Sequence, residues 1–441
     1  MVLGMMLLSL LSASASERKA RPVLPIDGEF DSADRHDFKW RVEVFPPALT
    51  FQQRMVLRIE ARVSTKSLMR ASETRDLHFL AKIADAAGHW YPEESYVNLP
   101  VAPQIDRDAE VIFTTAFFLR PGKYTAAVAC FDRITGQWNL VHKAVDVVPL
   151  KVDPLPQLDR GLPAVEVIQE PPTSADMSRM LPSVEQALWP VVGQGKELPL
   201  AGPPVQVDIV LNFAGTLDAS LTRPAAGGRR RENQARLLQI GSVLSRLQPS
   251  RGCARVSGLD IAAMKVLFDR SDAEQVEWPK MALSLKRGDE DTIEATALAN
   301  SAGTATFFRN YLMRLRSDSG ECHGSGAPLR RAVIVVSSSL EFPHAAAVKG
   351  LPPEEECDCR FYYLRTIETP VQMPRRGSVF VSRSAETAAG PPPGVLEPSP
   401  FDDVDRVLMP FKARRYEVRN PLQLRNALAE VMNDIGRAEN R

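Results

Sequence analysis

Hydroxyl, amide and thiol groups that could do chemistry gather at a few points along this chain. Ser337-Ser-Ser339 closes the apolar run Arg331-Ala-Val-Ile-Val-Val336, and the carboxyl end of a buried parallel strand is where ligand-contacting side chains commonly sit. With His344 shortly beyond, Ser338 has the residue types of a nucleophile and its base. A second mostly apolar run is Val205-Gln-Val-Asp-Ile-Val-Leu211, with Asn212 directly after it. Arg229-Arg-Arg231 sets three guanidiniums between the Val205–Leu211 run and the helix that follows it, where acidic side chains of a partner could be received. Cys253, Cys322, Cys357 and Cys359 each precede a predicted strand, whereas Cys130 sits inside one.

The signatures of catalysis are missing. There is no G-x-S-x-G elbow, no G-x-x-x-x-G-K phosphate loop and no G-x-G-x-x-G after a strand. The six histidines, at 36, 78, 89, 142, 323 and 344, show no H-E-x-x-H or paired-ligand spacing. No enzyme and no cofactor are therefore expected, and an atypical serine hydrolase built on Ser338 and His344 stands as an alternative. Lys+Arg and Asp+Glu number 54 each, so no global field draws the protein to nucleic acid or to an anionic membrane.

The elements that must position these groups fall into two grammars. At 441 residues the chain is too long for one ordinary core. Residues 1–16 have the apolar run and the Ala13-Ser14-Ala15 ending of a signal peptide, although no Lys or Arg precedes the run. Secretion or a periplasmic location follows, with no transmembrane helix left after cleavage. Residues 17–37 are polar and are expected to be disordered. Residues 38–150 alternate with period two over 39–45 and 55–63. Further strand-like runs at 77–84, 110–119, 124–131 and 138–148 are punctuated by Gly and Pro, which predicts an all-β sandwich. The segment Leu119-Arg-Pro-Gly-Lys-Tyr-Thr-Ala-Ala-Val-Ala-Cys130 resembles the penultimate strand of Ig-like domains. Residues 151–204 form a Pro-rich connector with one helix over 176–191. From 205 to 441, apolar strands alternate with helices at 231–247, 307–315 and 421–435, the last capped by Asn420. This predicts a doubly wound α/β domain.

On these residues a family resemblance appears. Val207-Asp-Ile-Val-Leu-Asn-Phe-Ala-Gly-Thr216 resembles the first strand and loop of a von Willebrand factor A domain, where D-x-S-x-S binds a divalent cation. Ala302-Gly-Thr-Ala-Thr-Phe-Phe308 is similar to that family's G-G-T turn, and Val333-Ile-Val-Val-Ser-Ser-Ser339 to its S-D-G strand end. The layout resembles secreted bacterial proteins in which an Ig-like sandwich precedes the A domain. The resemblance implies a metal-ion-dependent adhesion site at Asn212, Ala214, Thr216, Thr304 and Ser338. The departures fall on the ligands themselves: Asn212 and Ser338 replace carboxylates, and Ala214 has no side-chain oxygen. Without carboxylate charge to offset dehydration of Mg²⁺ or Mn²⁺, no tight cation is expected.

The expected function is then a non-enzymatic, adhesion-type module that binds a protein partner at the strand-end edge, with Arg229, Arg230 and Arg231 as possible contacts. A metal-dependent adhesin with its ligands placed elsewhere is the second alternative. Cys253, Cys322, Cys357 and Cys359 are expected to cluster and form disulfides in an oxidising compartment. A zinc site joining them with His323 is the competing reading, though their spacings match no C-x₂-C pattern. Arg287-Gly-Asp289, Glu354-Glu-Glu356 and the Pro-rich stretch near 390–400 read as solvated loops.

Overall fold

The computed structural model describes residues 22–68, 74–101, 110–168, 197–214, 226–278, 281, 301–317, 330–340, 359–367 and 402–437. In chain order the strands are β1 (Arg35–His36), β2 (Trp40–Val44), β3 (Ala48–Leu49), β4 (Met55–Ser64), β5 (Arg75–Asp85), β6 (Trp90–Val101), β7 (Glu110–Leu119), β8 (Gly122–Asp132), β9 (Trp138–Val147), β10 (Val165–Val167), β11 (Leu198–Leu200), β12 (Val205–Asn212), β13 (Leu247–Pro249), β14 (Gly252–Asp260), β15 (Lys265–Asp272), β16 (Arg330–Ser338), β17 (Cys359–Thr366) and β18 (Arg414–Val418). The helices are α1 (Thr65–Leu68, one turn), α2 (Ala226–Leu244), α3 (Ser301–Ser317), α4 (Asp403–Leu408) and α5 (Pro421–Gly436). None is long and apolar enough to cross a membrane. The proposed signal peptide and the connector helix over 176–191 lie outside the described residues.

Backbone contacts group the chain into two units. The first comprises residues 1–44, 59–114 and 124–145; the second takes 45–58, 115–123 and everything from 146 onward. The grouping therefore does not divide at one point near 150, because β3, the start of β4, the end of β7 and residues 146–150 group with the connector and the C-terminal residues. Within the connector, β10 pairs antiparallel with the end of β7, Val165 opposite Leu119.

In the first unit, β5 pairs antiparallel with both β6 and β8 in a sheet ordered β1-β9-β8-β5-β6. One face of β5 carries Leu77, Phe79, Ala81 and Ile83, all buried, and Phe79 stacks on Phe113 of β7 at 5.0 Å. Cys130 faces Phe79 in register, fully buried, and desolvation pushes its thiol well above the ordinary range. The other face is covered by Leu24, Ile26 and Phe30, which pack on Leu80, Ala127, Ala129, Phe131 and Leu140. Residues 22–37 are thus ordered, not disordered as expected. Three apolar residues spaced over one short stretch supply enough burial to offset its ordering. Strand β6 was also missed, because Pro92 and Pro100 argue against a strand. It lies at the end of the sheet order, where a missing N–H costs no ladder bond.

In the second unit a six-stranded sheet runs β15-β14-β12-β16-β17-β18. β14, β12, β16, β17 and β18 are parallel, and β15 is antiparallel to β14. Val207, Ile209 and Leu211 of β12 pack with Leu237, Ile240 and Leu244 of α2 and with Leu424, Leu428 and Val431 of α5. The opposite face, including Val210, Val333, Val335 and Tyr363, meets Phe308, Leu312 and Leu315 of α3 and Val404 and Val407 of α4.

The expected class, a doubly wound α/β domain after an Ig-like sandwich, does not describe this chain. Strand outweighs helix among the described residues, and antiparallel sheets hold ten of the strands. Even the six-stranded sheet is mixed, for a physical reason. Only residues 261–264 join β14 to β15, too few for the crossover that a parallel neighbour needs.

Two buried arginines tie the second unit's segments together. Arg425 of α5, 1% exposed, grips Asp153 through two bonds of 2.6 Å and donates to the Leu155 carbonyl at 3.0 Å. Arg54, also buried, pairs with Glu166 at 2.6 Å and lies over the Phe118 ring.

Candidate functional site

The carboxyl ends of the parallel strands form one polar rung. The register sets Ser337 of β16 beside Arg365 of β17, and Arg365 beside Glu417 of β18. Leu211 pairs with Val336, which brings Asn212 to the level of Ser337. Asn212 is fully buried and its amide bonds through both its nitrogen and its oxygen. Nδ2 donates to Ser337 Oγ at 2.8 Å, while Oδ1 accepts from the Ala214 and Ile261 amides at 3.1 and 3.2 Å. Ser337 Oγ in turn donates to the Ser338 carbonyl at 2.8 Å. One side chain thus pins the ends of β12 and β16 and the turn after β14.

Of the remaining residues of the expected set, Ala214 meets Asn212 through its backbone amide at 3.1 Å. Ser338 is buried, but strand alternation turns it to the face opposite Ser337 and Asn212. The serine that meets Asn212 is Ser337, one residue earlier than the resemblance implies. Ala214 is buried in the apolar cluster on the α3 face, and Thr304 is buried in the first turn of α3. Thr216, His344, Cys322, His323 and Cys357 lie outside the described residues. Arg229, Arg230 and Arg231 belong to α2, which begins at Ala226 and ends at Leu244, not to a loop before a helix at 231–247. The Gly227-Gly228 pair suggested loop, but the helix runs through it, at a propensity cost of about 1 kcal/mol per glycine.

A second cluster beside the rung was not foreseen. Arg365 is 1% exposed; its Nε lies 2.9 Å from Asp402 Oδ2 and 3.0 Å from Ser339 Oγ. Tyr363 donates its hydroxyl to the same carboxylate at 3.2 Å. Asp402 also caps α4, accepting from the Asp405 amide at 2.8 Å. Arg415 links Asp405 and Glu417 at 3.0 and 2.6 Å. Burial is the main cause that pushes the Asp402 carboxyl up to about 6, against the opposing pull of the Asp405 amide and Arg365. The signal for this cluster was the Arg that follows Phe-Tyr-Tyr-Leu364: a charge at the end of a buried strand needs a partner.

At the opposite, amino end of the sheet the register aligns Cys253, Gln206, Arg331 and Cys359 in one row. Cys253 and Cys359 are disulfide-bonded. Three strand spacings of about 4.8 Å separate them, beyond the reach of one disulfide, so they are not joined to each other. Gln206 accepts from Arg331 at 3.3 Å and donates to Asp208 at 3.0 Å, and Arg331 also donates to the Leu315 carbonyl. Gly252 opens β14 here with φ +125°; a Cβ would stand 1.9 Å from the Val205 carbonyl oxygen, so no other residue fits.

Among the described residues, the side chains at the carboxyl edge do not form a hard-cation set. The Asn212 oxygen already takes two N–H donors, Ala214 offers no ligand, Ser338 faces away, and Asp402 is held by Arg365 and Tyr363. Among the described residues no group of three His, Cys, Asp or Glu side chains is arranged to hold a metal.

Comparison with known proteins adds little. No family model matches the chain, and no curated protein matches it. Among solved structures it is similar to a β-glucosidase from Listeria innocua in complex with glucose, at 10% identity and TM-score 0.17 over 31% of this chain and 22% of that one. A β-glucuronidase from Bacteroides uniformis is 10% identical, with TM-score 0.19 over 67% of this chain and 33% of the other. The putative ApaA protein from Bordetella pertussis is 11% identical, with TM-score 0.15, covering 26% of this chain and 97% of that one. The chain thus spans a third or less of the glycosidases' length, and likeness at such TM-scores carries no argument about fold or activity.

Proposed function

We propose that this protein is an exported, non-enzymatic module that binds a protein partner at the carboxyl edge of its six-stranded sheet. The observation that carries this reading is that Asn212, Ser337, Arg365 and Asp402 at this edge are engaged by one another and by backbone groups. A nucleophile needs an adjacent base and a free proton path. Ser337 instead accepts from Asn212 and donates to a carbonyl. A metal-dependent adhesin needs free carboxylate oxygens, and here those of Asp402 are engaged. Surface complementarity is what such an edge retains. Export is supported by the disulfide-bonded Cys253 and Cys359, since such bonds persist in oxidising compartments.

Site-specific photo-crosslinking tests the reading. A crosslinker is placed at Ala263 or Arg419, both exposed beside the edge, and at exposed Lys143 of the first unit as a control. One defined protein adduct from the two edge positions, absent from Lys143, is expected in the producing cells. Equal or no adducts at all three positions would overturn the proposal.

A further inference from the structure

His142 of β9 sits where both of its ring nitrogens meet oxygen acceptors. Nδ1 lies 2.8 Å from Asp34 Oδ1 and Nε2 lies 2.9 Å from the Phe30 carbonyl oxygen. The His142 backbone amide donates to the same Asp34 oxygen at 3.0 Å. A neutral imidazole has one donor and one acceptor nitrogen, so it can satisfy only one of these oxygens. The geometry is complete only for the doubly protonated ring.

What the ring holds is a strap. Residues 24–34 carry Leu24, Ile26 and Phe30 onto the outer face of β5, β8 and β9. Their remaining polar ties do not depend on an imidazole: Trp90 Nε1 donates to Asp31 at 2.8 Å, and Asn139 Oδ1 accepts from the Asp37 and Phe38 amides at 2.6 and 3.1 Å. Phe30 packs edge-on against Trp90 at 5.8 Å, with Lys82 Nζ 4.6 Å from the Phe30 ring. The charged and titratable groups around His142 are therefore Asp34 and His36 from the strap side, Asp31 beside Trp90 on β6, and Lys82 on β5.

We propose that His142 is a proton-operated clasp: its doubly protonated ring fastens residues 30–34 to the edge of the first sheet, and loss of one ring proton loosens them. On deprotonation one nitrogen turns a lone pair toward an oxygen, and one of the two clasp bonds is lost. The apolar contacts of Leu24, Ile26 and Phe30 remain, so the strap loosens locally and does not leave. Hydrogen bonding to His142 also holds the Asp34 carboxyl below its ordinary range, which keeps the acceptor charged across the working window. The sign follows. The clasp is closed when both ring nitrogens carry protons, on the acid side, and it weakens when one proton is lost, on the alkaline side.

Hydrogen exchange of the full chain, corrected for intrinsic exchange, tests this at pH 5.5 and pH 8.0. Residues 26–34 should open about tenfold more at the higher pH, the effect of one lost charge-assisted bond at a partly exposed site. The Asp37 and Phe38 amides held by Asn139 should not change. In H142Q and in D34N the difference between the two pH values should vanish. Because either variant may alter packing, nitrogen NMR of the wild-type ring gives a second readout, with both ring nitrogens protonated at pH 5.5. Equal opening at the two pH values in the wild type, or a singly protonated ring at pH 5.5, would overturn the proposal.

Discussion

Arg425 and Arg365 are both 1% exposed and both bonded to an aspartate, yet the two pairs are built differently. Arg425 meets Asp153 through two parallel bonds of 2.6 Å and spends a further N–H on a carbonyl, and its carboxylate keeps about a fifth of its surface in water. Arg365 meets Asp402 through one nitrogen at 2.9 Å, and that carboxylate is 1% exposed. The first pair has bidentate geometry with partial hydration of its anion. The second buries its anion completely, and the Asp402 carboxyl rises to about 6 as a result. A buried pair stabilises only when geometry offsets desolvation. The Arg425 pair meets that condition, and the Arg365 pair meets it less well.

The largest expected effect breaks the better pair. Arg425→Met should lower the unfolding free energy by about 3–5 kcal/mol, since it leaves Asp153 without its countercharge and strips donors from a buried carbonyl. Urea denaturation at pH 7.5 measures it. A loss below about 1 kcal/mol would show that the clasp is ornamental and that apolar packing alone docks the connector on α5.

The weaker pair is read through pH. Asp402 binds its proton more tightly in the folded chain than in the unfolded one. Below about pH 6 the folded state therefore gains protons first, and stability rises as pH falls toward about 4.5. That rise corresponds to roughly 1–3 kcal/mol. Asp159, Asp208 and Asp405 are raised mainly by burial and act in the same direction. Asp34, Asp37, Asp76, Asp85 and Glu417 are lowered and act oppositely, their contribution fading only at more acid pH. Denaturation midpoints should climb from pH 7.5 through 6.0 to 5.0 in the wild type and climb less steeply in D402N. An unchanged slope in D402N would move the titration to another group.

What was legible in the sequence follows the same physics. The mostly apolar runs Val205–Leu211 and Arg331–Val336 announced strands buried on both faces, observed as Val205–Asn212 and Arg330–Ser338, and Asn420 with Pro421 announced α5, whose cap accepts from the Gln423 amide at 2.9 Å. Sequence period says which face a residue occupies but not what stands opposite. Ser338 was therefore chosen where Ser337 makes the contact. The Arg365–Asp402 pair joins residues far apart in the chain and has no local pattern. The class of the chain was misread because the turn after β14 is set by its length, and because Leu24, Ile26 and Phe30 are too sparse for a period to reveal.

Asn212→Asp tests whether the carboxyl edge can be returned to a cation site. It restores the carboxylate that the von Willebrand factor A resemblance implies, but removes the Nδ2 donor to Ser337 and buries a charge. A loss of about 1–3 kcal/mol is expected, with no rise in melting temperature on adding Mg²⁺, Mn²⁺ or Ca²⁺. An ion-dependent rise in this variant would show that one carboxylate suffices and that the edge is a lapsed metal site.

The smallest effect separates a structural serine from a reactive one. Ser337→Ala removes an acceptor for Asn212 and should cost about 1 kcal/mol, less than the aspartate substitution because no charge is buried. The wild-type protein should remain unlabelled by a fluorophosphonate, because Ser337 Oγ donates to the Ser338 carbonyl and, among the described residues, no imidazole bonds it. Labelling abolished by Ser337→Ala would assign a hydrolase to this rung. Labelling that survives Ser337→Ala and falls in Ser338→Ala would place the nucleophile on the opposite face of the sheet, away from Asn212. Absence of labelling, together with the small stability loss, would leave the serine with the role its geometry gives it, one member of a hydrogen-bonded tie across two strand ends.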